Sequence, residues 1–351
     1  MPSFKPEDRR FMRRALSLAK RGGVAVNPNP KVGCVLVKNN RIIAQGWHEI
    51  HGGPHAEANA LEHAGDKARG SAAYITLEPC CDHPGKKTPP CAAALIRAGI
   101  SKAFIALRDP NPGVSGKGIK LLKKFGIKTS VGLCAKEAEV LNKSFLTRMR
   151  RARPHIILKS ALSLDGKAYA VGGLSRWITG PGARKIAHEL RAQADAVLVG
   201  AGTVLKDNPS LTSHGAGKNP VRVILDTSLR TPRRSQILDG KAPTWIFTAS
   251  KKNLPGAQII RVPKENGKLS LSAILKELAL RGIDRLLVEG GPTVHASFLA
   301  QGHVDEARIF IAPKLILGTS DPNRAPRLVK ARLKKVGLDF LFYGKVQCSP
   351  G

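Results

Sequence analysis

Short apolar runs recur along this chain, separated by stretches whose apolar residues fall three and four apart. KVGCVLV, AAYITL, KAFIAL and GIKTSV read as strands between Val32 and Val131, and the intervening periodicity predicts helices at about 55–66, 89–98 and 116–125. That alternation belongs to an α/β layer domain, in which helices cover a sheet. Ahead of it, MPSFKPEDRRFMRRALSLAKRGG places basic and apolar residues at helical spacing, which predicts an amphipathic first helix. It offers no uninterrupted apolar stretch of the kind a signal peptide or membrane span needs.

A further helix, roughly Ala135 to Arg148, leads into RMRRARP, where the basic run and Pro154 mark a boundary between two units, 1–150 and 151–351. The alternation then resumes. HIILKSAL opens a second α/β domain, with strands expected at ADAVLVG, VRVILD, TWIFTA, DRLLVEG and EARIFIAP and helices near 181–193, 270–281 and 292–301. The stretch from His214 to Pro220 is the nearest approach to disorder, no repeat is present, and the C-terminal segment lacks clear periodicity.

Composition adds a compartment and a charge. The 351 residues are 42% hydrophobic, enough to bury ordinary cores, and the length favours two domains over one. Of the six cysteines, Cys80, Cys81 and Cys91 crowd into one segment, which points to a metal site in a reducing compartment rather than a disulfide framework. A cytoplasmic protein is expected. The formal net charge of +33 favours phosphorylated ligands, but the basic residues are dispersed and aromatics make up only 5%. Recognition of single strands by base stacking is therefore not expected, nor is a specific nucleic-acid or membrane partner. Apart from composition and charge, a homo-oligomer, dimer or tetramer, is expected.

The candidate chemistry lies in two strings. GGPHAEANAL sets His55 and Glu57 two apart at a helix start, with Pro54 suited to the first helical position. LEPCCDHPGKKTPPC sets Cys80 after a strand and Cys91 at the front of another helix, with Thr88 as its expected N-cap, where a helix N-terminus favours the thiolate that binds zinc. One imidazole and two thiolates are the ligand count of a catalytic zinc that keeps a position for water. Glu57, not a ligand, can take a proton from that water and pass it to a departing amine, the chemistry of hydrolytic deamination. The usual C-x-x-C spacing is absent, because ten residues separate Cys80 from Cys91. Cys34 in VGCVLV and Cys134 at a helix start read as core or incidental, and His83 stays undecided.

These residues resemble a known family, the bacterial bifunctional diaminohydroxyphosphoribosylaminopyrimidine deaminase and 5-amino-6-(5-phosphoribosylamino)uracil reductase of riboflavin synthesis. The likeness covers NPNPKVGCVLV, the run from Gly46 to Glu57, TLEPC, TPPC and DPNPGVSGKG, then LKSALSLDGK, SRWITG, GAGTVLKDNPSLT, VRVILD and LLVEGGPTVHASFL. It implies a cytidine-deaminase-like α/β/α domain followed by a dihydrofolate-reductase-like α/β domain, with a phosphorylated pyrimidine as substrate and Zn2+ and NADPH as cofactors. The family's zinc ligands fall on His55, Cys80 and Cys91 and its proton shuttle on Glu57. The resemblance places the nicotinamide nucleotide against Ala161, Trp177, Thr203, Asp207, Thr227, Gly291, Pro292 and Thr293. It places the substrate against Ser175, Arg191, Leu211, His214 and Glu289. Position 214 departs from a family arginine, and the loop between the two cysteines is longer than usual.

The residues of the second half support parts of this directly. Gly200-Ala201-Gly202 lacks the third glycine of an ordinary dinucleotide fingerprint. VEGGPTV ends a strand in Glu289 and begins a helix at Pro292, whose free N–H groups suit a pyrophosphate, although a plain tight turn reads the same way. Thr227, Ser228 and Arg230 after VRVILD match a 2′-phosphate or an ordinary turn. Lys159 and Asp207 are both plausible acids for the reduction. Two rivals remain: a nucleic-acid editing deaminase with a basic extension, and a non-catalytic relative on the same fold.

Overall fold

The computed structural model describes residues 4–82, 89–163, 166, 179–312 and 327–347. They separate into two compact units, Met1–Arg151 and Ala152–Gly351.

The first unit runs α1 (Pro6–Ala19), β1 (Gly33–Lys38), β2 (Arg41–Trp47), α2 (Ala56–Ala64), β3 (Ala72–Ile75), α3 (Cys91–Arg97), β4 (Lys102–Ile105), α4 (Lys117–Lys124), β5 (Lys128–Val131), α5 (Ala135–Leu141) and α6 (Lys143–Arg151). Its sheet has the order β2-β1-β3-β4-β5, with β1 antiparallel to both neighbours and β3, β4 and β5 parallel. Side chains alternate across a strand, so β1 serves two cores at once. Cys34 and Leu36 pack with Ala56 and Ala60 of α2, Ala92 and Leu95 of α3, and Ile119 and Leu122 of α4. Val35 and Val37 face the opposite way, onto Phe11, Met12 and Leu16 of α1 and Phe145 and Leu146 of α6. Cys34 is thus a core residue.

Two glycines let backbones approach closely around the future site. A Cβ at Gly46 would lie 2.5 Å from Ala56 O, so glycine there lets the start of α2 rest on β2. A Cβ at Gly118 would lie 2.1 Å from Pro79 O, so α4 presses directly on the segment before Cys80.

The second unit runs β6 (His155–Ser163), α7 (Pro181–Ala192), β7 (Ala196–Gly200), α8 (Ala201–Asp207), β8 (Val221–Leu225), β9 (Thr244–Thr248), β10 (Gln258–Arg261), the short pair β11 (Lys264–Glu265) and β12 (Lys268–Leu269), α9 (Leu271–Leu280), β13 (Arg285–Val288), α10 (Pro292–Ala300), β14 (Glu306–Ala312), β15 (Arg327–Val336) and β16 (Asp339–Gln347). Its nine-stranded sheet has the order β10-β9-β8-β7-β13-β6-β14-β16-β15. Strands β10 through β14 in that order are parallel, and the β15–β16 hairpin adds antiparallel strands at the edge. One face packs on α9 and Phe298 of α10, the other on Ala183 and Leu190 of α7 and Val204 of α8. Among the described residues no helix is long and apolar enough to cross a membrane.

Several elements differ from the sequence expectation. The single helix expected over 135–148 is two, α5 and α6, separated at Asn142. That side chain is pinned to distant backbone: it accepts from Lys31 N at 2.8 Å and donates to Lys31 O at 2.9 Å. Helix α2 begins at Ala56 with His55 as its N-cap, so Pro54 precedes the cap instead of occupying the first turn. The residue capping α3 is Pro90, not Thr88, which lies outside the described residues, as does His83. The stretch after His214 is an ordered loop, tied by Ser213 Oγ donating to Gly217 O at 2.6 Å and Asn219 Nδ2 donating to Lys241 O at 3.1 Å. Strand β2 and the C-terminal hairpin were not foreseen; both lie towards sheet edges, where Ile42 and Leu333 stay exposed and alternation is weak.

Candidate active sites

In the first unit, His55, Cys80 and Cys91 converge, their ligand atoms all within 4.8 Å of one another. His55 Nδ1 lies 3.3 Å from Cys91 Sγ and 3.5 Å from Cys80 Sγ. Ligands of one tetrahedral zinc, with ordinary Zn–N and Zn–S bonds, stand about 3.6 Å apart, so the donor set fits that ion. Local structure sets each donor. His55 is the N-cap of α2, Cys91 is the first residue of α3, and Cys91 N–H donates to Cys80 Sγ at 3.4 Å, aiming a helix N-terminus at a prospective thiolate.

Glu57, two residues into the turn that His55 caps, is buried at 3% exposure. Burial lifts its carboxyl to about 7, with Cys80 pushing the same way and His55 opposing. A carboxylate poised there can carry a proton in either direction near neutrality.

Two supports escaped the sequence analysis. His48, 2% exposed, sits edge-on to His55 with ring centroids 5.4 Å apart, and its Nδ1 and Nε2 are 2.9 Å from Pro54 O and 3.1 Å from Asn29 Nδ2. The carbonyl needs a donor and the amide an acceptor, which fixes a neutral ring protonated at Nδ1. Glu78 accepts backbone N–H bonds from Asp109 (3.2 Å), Gly116 (3.0 Å) and Ile119 (3.1 Å), binding the start of α4 to the segment before Cys80. The acidic residue in LEP, the string directly before Cys80, was the available signal. Cys81 is buried with its thiol pushed up by burial, and Cys134 caps α5 in the left-handed region at φ 57°.

In the second unit, four of the expected cofactor residues lie at the carboxyl ends of neighbouring parallel strands. Ala161 lies on β6, Thr203 follows β7, Thr227 follows β8 and Gly291 follows β13. That crevice is where open α/β sheets bind ligands. Gly291 caps α10 in extended conformation, Pro292 and Thr293 form its exposed first turn, and a Cβ on Gly291 would come within 3.8 Å of Thr203 Oγ1. Pro292 carries no N–H and the N–H groups of Val294 and His295 donate to Gly291 O at 3.0 and 3.1 Å, so this helix start offers a dinucleotide pyrophosphate the Thr293 N–H beside a hydroxyl and a glycine. Asp207 ends α8 and is exposed. Ser228 and Arg230 are exposed on the turn after β8. Trp177 and Ser175 lie outside the described residues.

Glu289 is the centre of the other group. Arg191 grips it with Nε to Oε1 at 2.7 Å and a second nitrogen to Oε2 at 3.0 Å, and Lys159 Nζ donates to Oε2 at 3.3 Å. Although burial opposes it, the charges of Arg191 and Lys159 hold this carboxyl down to about 2. Arg191 also donates to Thr212 O at 3.1 Å. His214 stacks on His188, which the sequence analysis missed. Leu211, expected against the substrate, is 2% exposed and packs within the core.

A His-Cys-Cys cluster with a buried glutamate on a cytidine-deaminase-like sheet, joined to a dihydrofolate-reductase-like sheet, defines a two-domain deaminase and reductase. Comparison with known proteins agrees at both ends: residues 5–107 match the cytidine and deoxycytidylate deaminase zinc-binding region, and residues 154–339 the RibD C-terminal domain. The chain is 47% identical over 322 residues to the riboflavin biosynthesis protein RibD of Bacillus amyloliquefaciens, covering 89% of this chain and 86% of that one. Its structure resembles Acinetobacter baumannii RibD (TM-score 0.87, 35% identity, 97% of this chain and 99% of that one). It also resembles the Thermotoga maritima diaminohydroxyphosphoribosylaminopyrimidine deaminase/5-amino-6-(5-phosphoribosylamino)uracil reductase (TM-score 0.84, 39% identity, 97% and 99%). The chain belongs to the RibD family and is a bifunctional deaminase and reductase of riboflavin biosynthesis.

Proposed function

We propose that residues 1–151 hydrolytically remove the 2-amino group of 2,5-diamino-6-(5-phosphoribosylamino)pyrimidin-4(3H)-one, and that residues 152–351 reduce the ribosyl group of the product to ribityl with NADPH. The observation that carries this reading is the convergence of His55 Nδ1 with the sulfurs of Cys80 and Cys91 beside the buried Glu57. The match of the second unit to a reductase family supports its other half.

His55, Cys80 and Cys91 would hold zinc, which when bound would supply an acidified water. Glu57 accepts a proton at its carboxylate and delivers it to the leaving amine. His48 keeps the His55 ring in place by edge contact, and its fixed tautomer keeps it from competing for that proton.

In the second unit Ala161, Trp177, Thr203, Asp207, Thr227, Gly291, Pro292 and Thr293 bound the nicotinamide nucleotide, with Ser228 and Arg230 for the 2′-phosphate. NADPH supplies the hydride, and the protein's part is orientation. Ser175, Arg191, Leu211, His214 and Glu289 receive the substrate. Lys159 and Asp207 are the acids nearest in chemistry to the final proton transfer. A cytoplasmic homo-oligomer completes the reading.

The test is a coupled assay on zinc-replete protein given the diaminopyrimidinone ribotide. Ribityl product appearing only with NADPH is expected. Deamination without reduction would sink the second half of the reading, and neither reaction would sink both.

A further inference from the structure

We propose that the stacked imidazoles of His188 and His214 form, beside Arg191, an anion subsite that seats the phosphate of the reductase substrate and takes up a proton as it does so. This rests on the reading of the second unit as the reductase.

His188 and Arg191 stand three residues apart on α7, so their side chains leave the same face of the helix. His214 arrives from the loop after α8, held in the left-handed region at φ 49°. The two rings stack with centroids 4.2 Å apart and planes 26° from parallel, and His214 Nε2 lies 3.1 Å from Ser210 Oγ. His214 is exposed and His188 half-buried, so a solute can reach the pair.

The surroundings favour an anion. Arg191 from α7, Lys159 from β6 and Lys241 from the approach to β9 bear on the pair. The carboxylate that faces His188 is Glu289, and both its oxygens are already engaged by Arg191 and Lys159. Asp239 lies 3.7 Å from Lys241 and is paired with Arg222 at 2.9 Å. Among the described residues, the two imidazoles therefore meet beside an Arg191–Glu289–Lys159 group whose net charge is positive. A phosphomonoester, with its double charge and several acceptor oxygens, has the matching chemistry.

Burial first holds both imidazoles below their ordinary value; His214 and then Arg191 and Lys159 lower His188 further, with Glu289 opposing, and Arg191 and Lys241 lower His214. In the free protein the pair is thus uncharged at neutral pH. A bound dianion reverses the balance, because an imidazolium beside it gains an opposite charge. One ring takes a proton from solvent, and no covalent bond changes. The direction follows: affinity is highest at low pH and falls as pH rises between the free and the bound imidazole pKa, by about tenfold per pH unit for one linked proton. Arginines at these positions would stay charged throughout and show no such dependence.

The experiment measures reductase KM for 5-amino-6-(5-phosphoribosylamino)uracil at saturating NADPH from about pH 7 to about 8.5. This lies above the second phosphate pKa of about 6, so the ligand's own charge stays constant. Wild-type KM should rise by about threefold or more across this range, and the His188→Gln, His214→Arg double variant should flatten that rise to less than about twofold. Calorimetry with a sugar phosphomonoester, already the dianion at about pH 7.5, in two buffers of different ionisation enthalpy on wild type alone should show proton uptake. A flat wild-type KM, an unchanged slope in the double variant, or binding without proton uptake would each overturn the proposal while leaving the reductase reading intact. Absence of NADPH oxidation at every pH would overturn both.

Discussion

Arg191 and Glu289 meet as a two-pronged ion pair, with 2.7 and 3.0 Å contacts and side chains only 13% and 6% exposed. Removing the guanidinium strands a buried carboxylate with Lys159 as its remaining partner. Arg191→Met should lower unfolding stability by about 3–5 kcal/mol, read by chemical denaturation, whereas an exposed pair would cost under about 1 kcal/mol.

The same pair sets an acid limit. Glu289 has a folded-state pKa of about 2 against an ordinary 4.5, so it stabilises the fold above that ordinary value and the contribution disappears as pH falls towards 2. Stability of the wild type should decline over this window, and Glu289→Gln, although less stable at neutral pH, should show a shallower decline. Equal slopes in the two proteins would place the acid sensitivity elsewhere.

Glu57 and Cys91 should separate chemistry from metal. Glu57→Gln should keep zinc yet lose about 10²–10⁴-fold in deamination, while Cys91→Ala should lose the metal as well. Metal analysis of both proteins beside deaminase rates checks this, and an active Glu57→Gln enzyme would remove the proton-shuttle role.

Chelation should divide the two activities. Stripping zinc should abolish deamination but leave NADPH-dependent reduction of pre-deaminated substrate, because His55, Cys80 and Cys91 all lie in the first unit. Loss of reduction in parallel would show that the second unit also depends on the metal.

Glu78 should behave as the brace of the zinc segment. Glu78→Ala leaves three backbone N–H groups without their carboxylate, at a cost of about 1–3 kcal/mol for each donor left buried. Thermal unfolding of the first unit should come earlier and zinc should be released more readily. Unchanged zinc retention would mean that α4 does not help hold Cys80.

Which residues are able to do chemistry was legible locally. The period of apolar residues marked most strands and helices, because burial on one face imposes its repeat on the sequence itself. His55, Glu57, Cys80 and Cys91 were readable because zinc hydrolysis admits few residue types and helix starts are signalled by their neighbours. The cap at Pro90, the break at Asn142 and the edge strands were not, since each depends on a partner far along the chain or on a half-exposed face. Tertiary structure alone decided that Arg191 and Lys159, 98 and 130 residues from Glu289, share its carboxylate, and that His188 faces His214. Those meetings follow from the order of the strands in the sheet, and strand order is set by how whole elements pack, which no local pattern encodes.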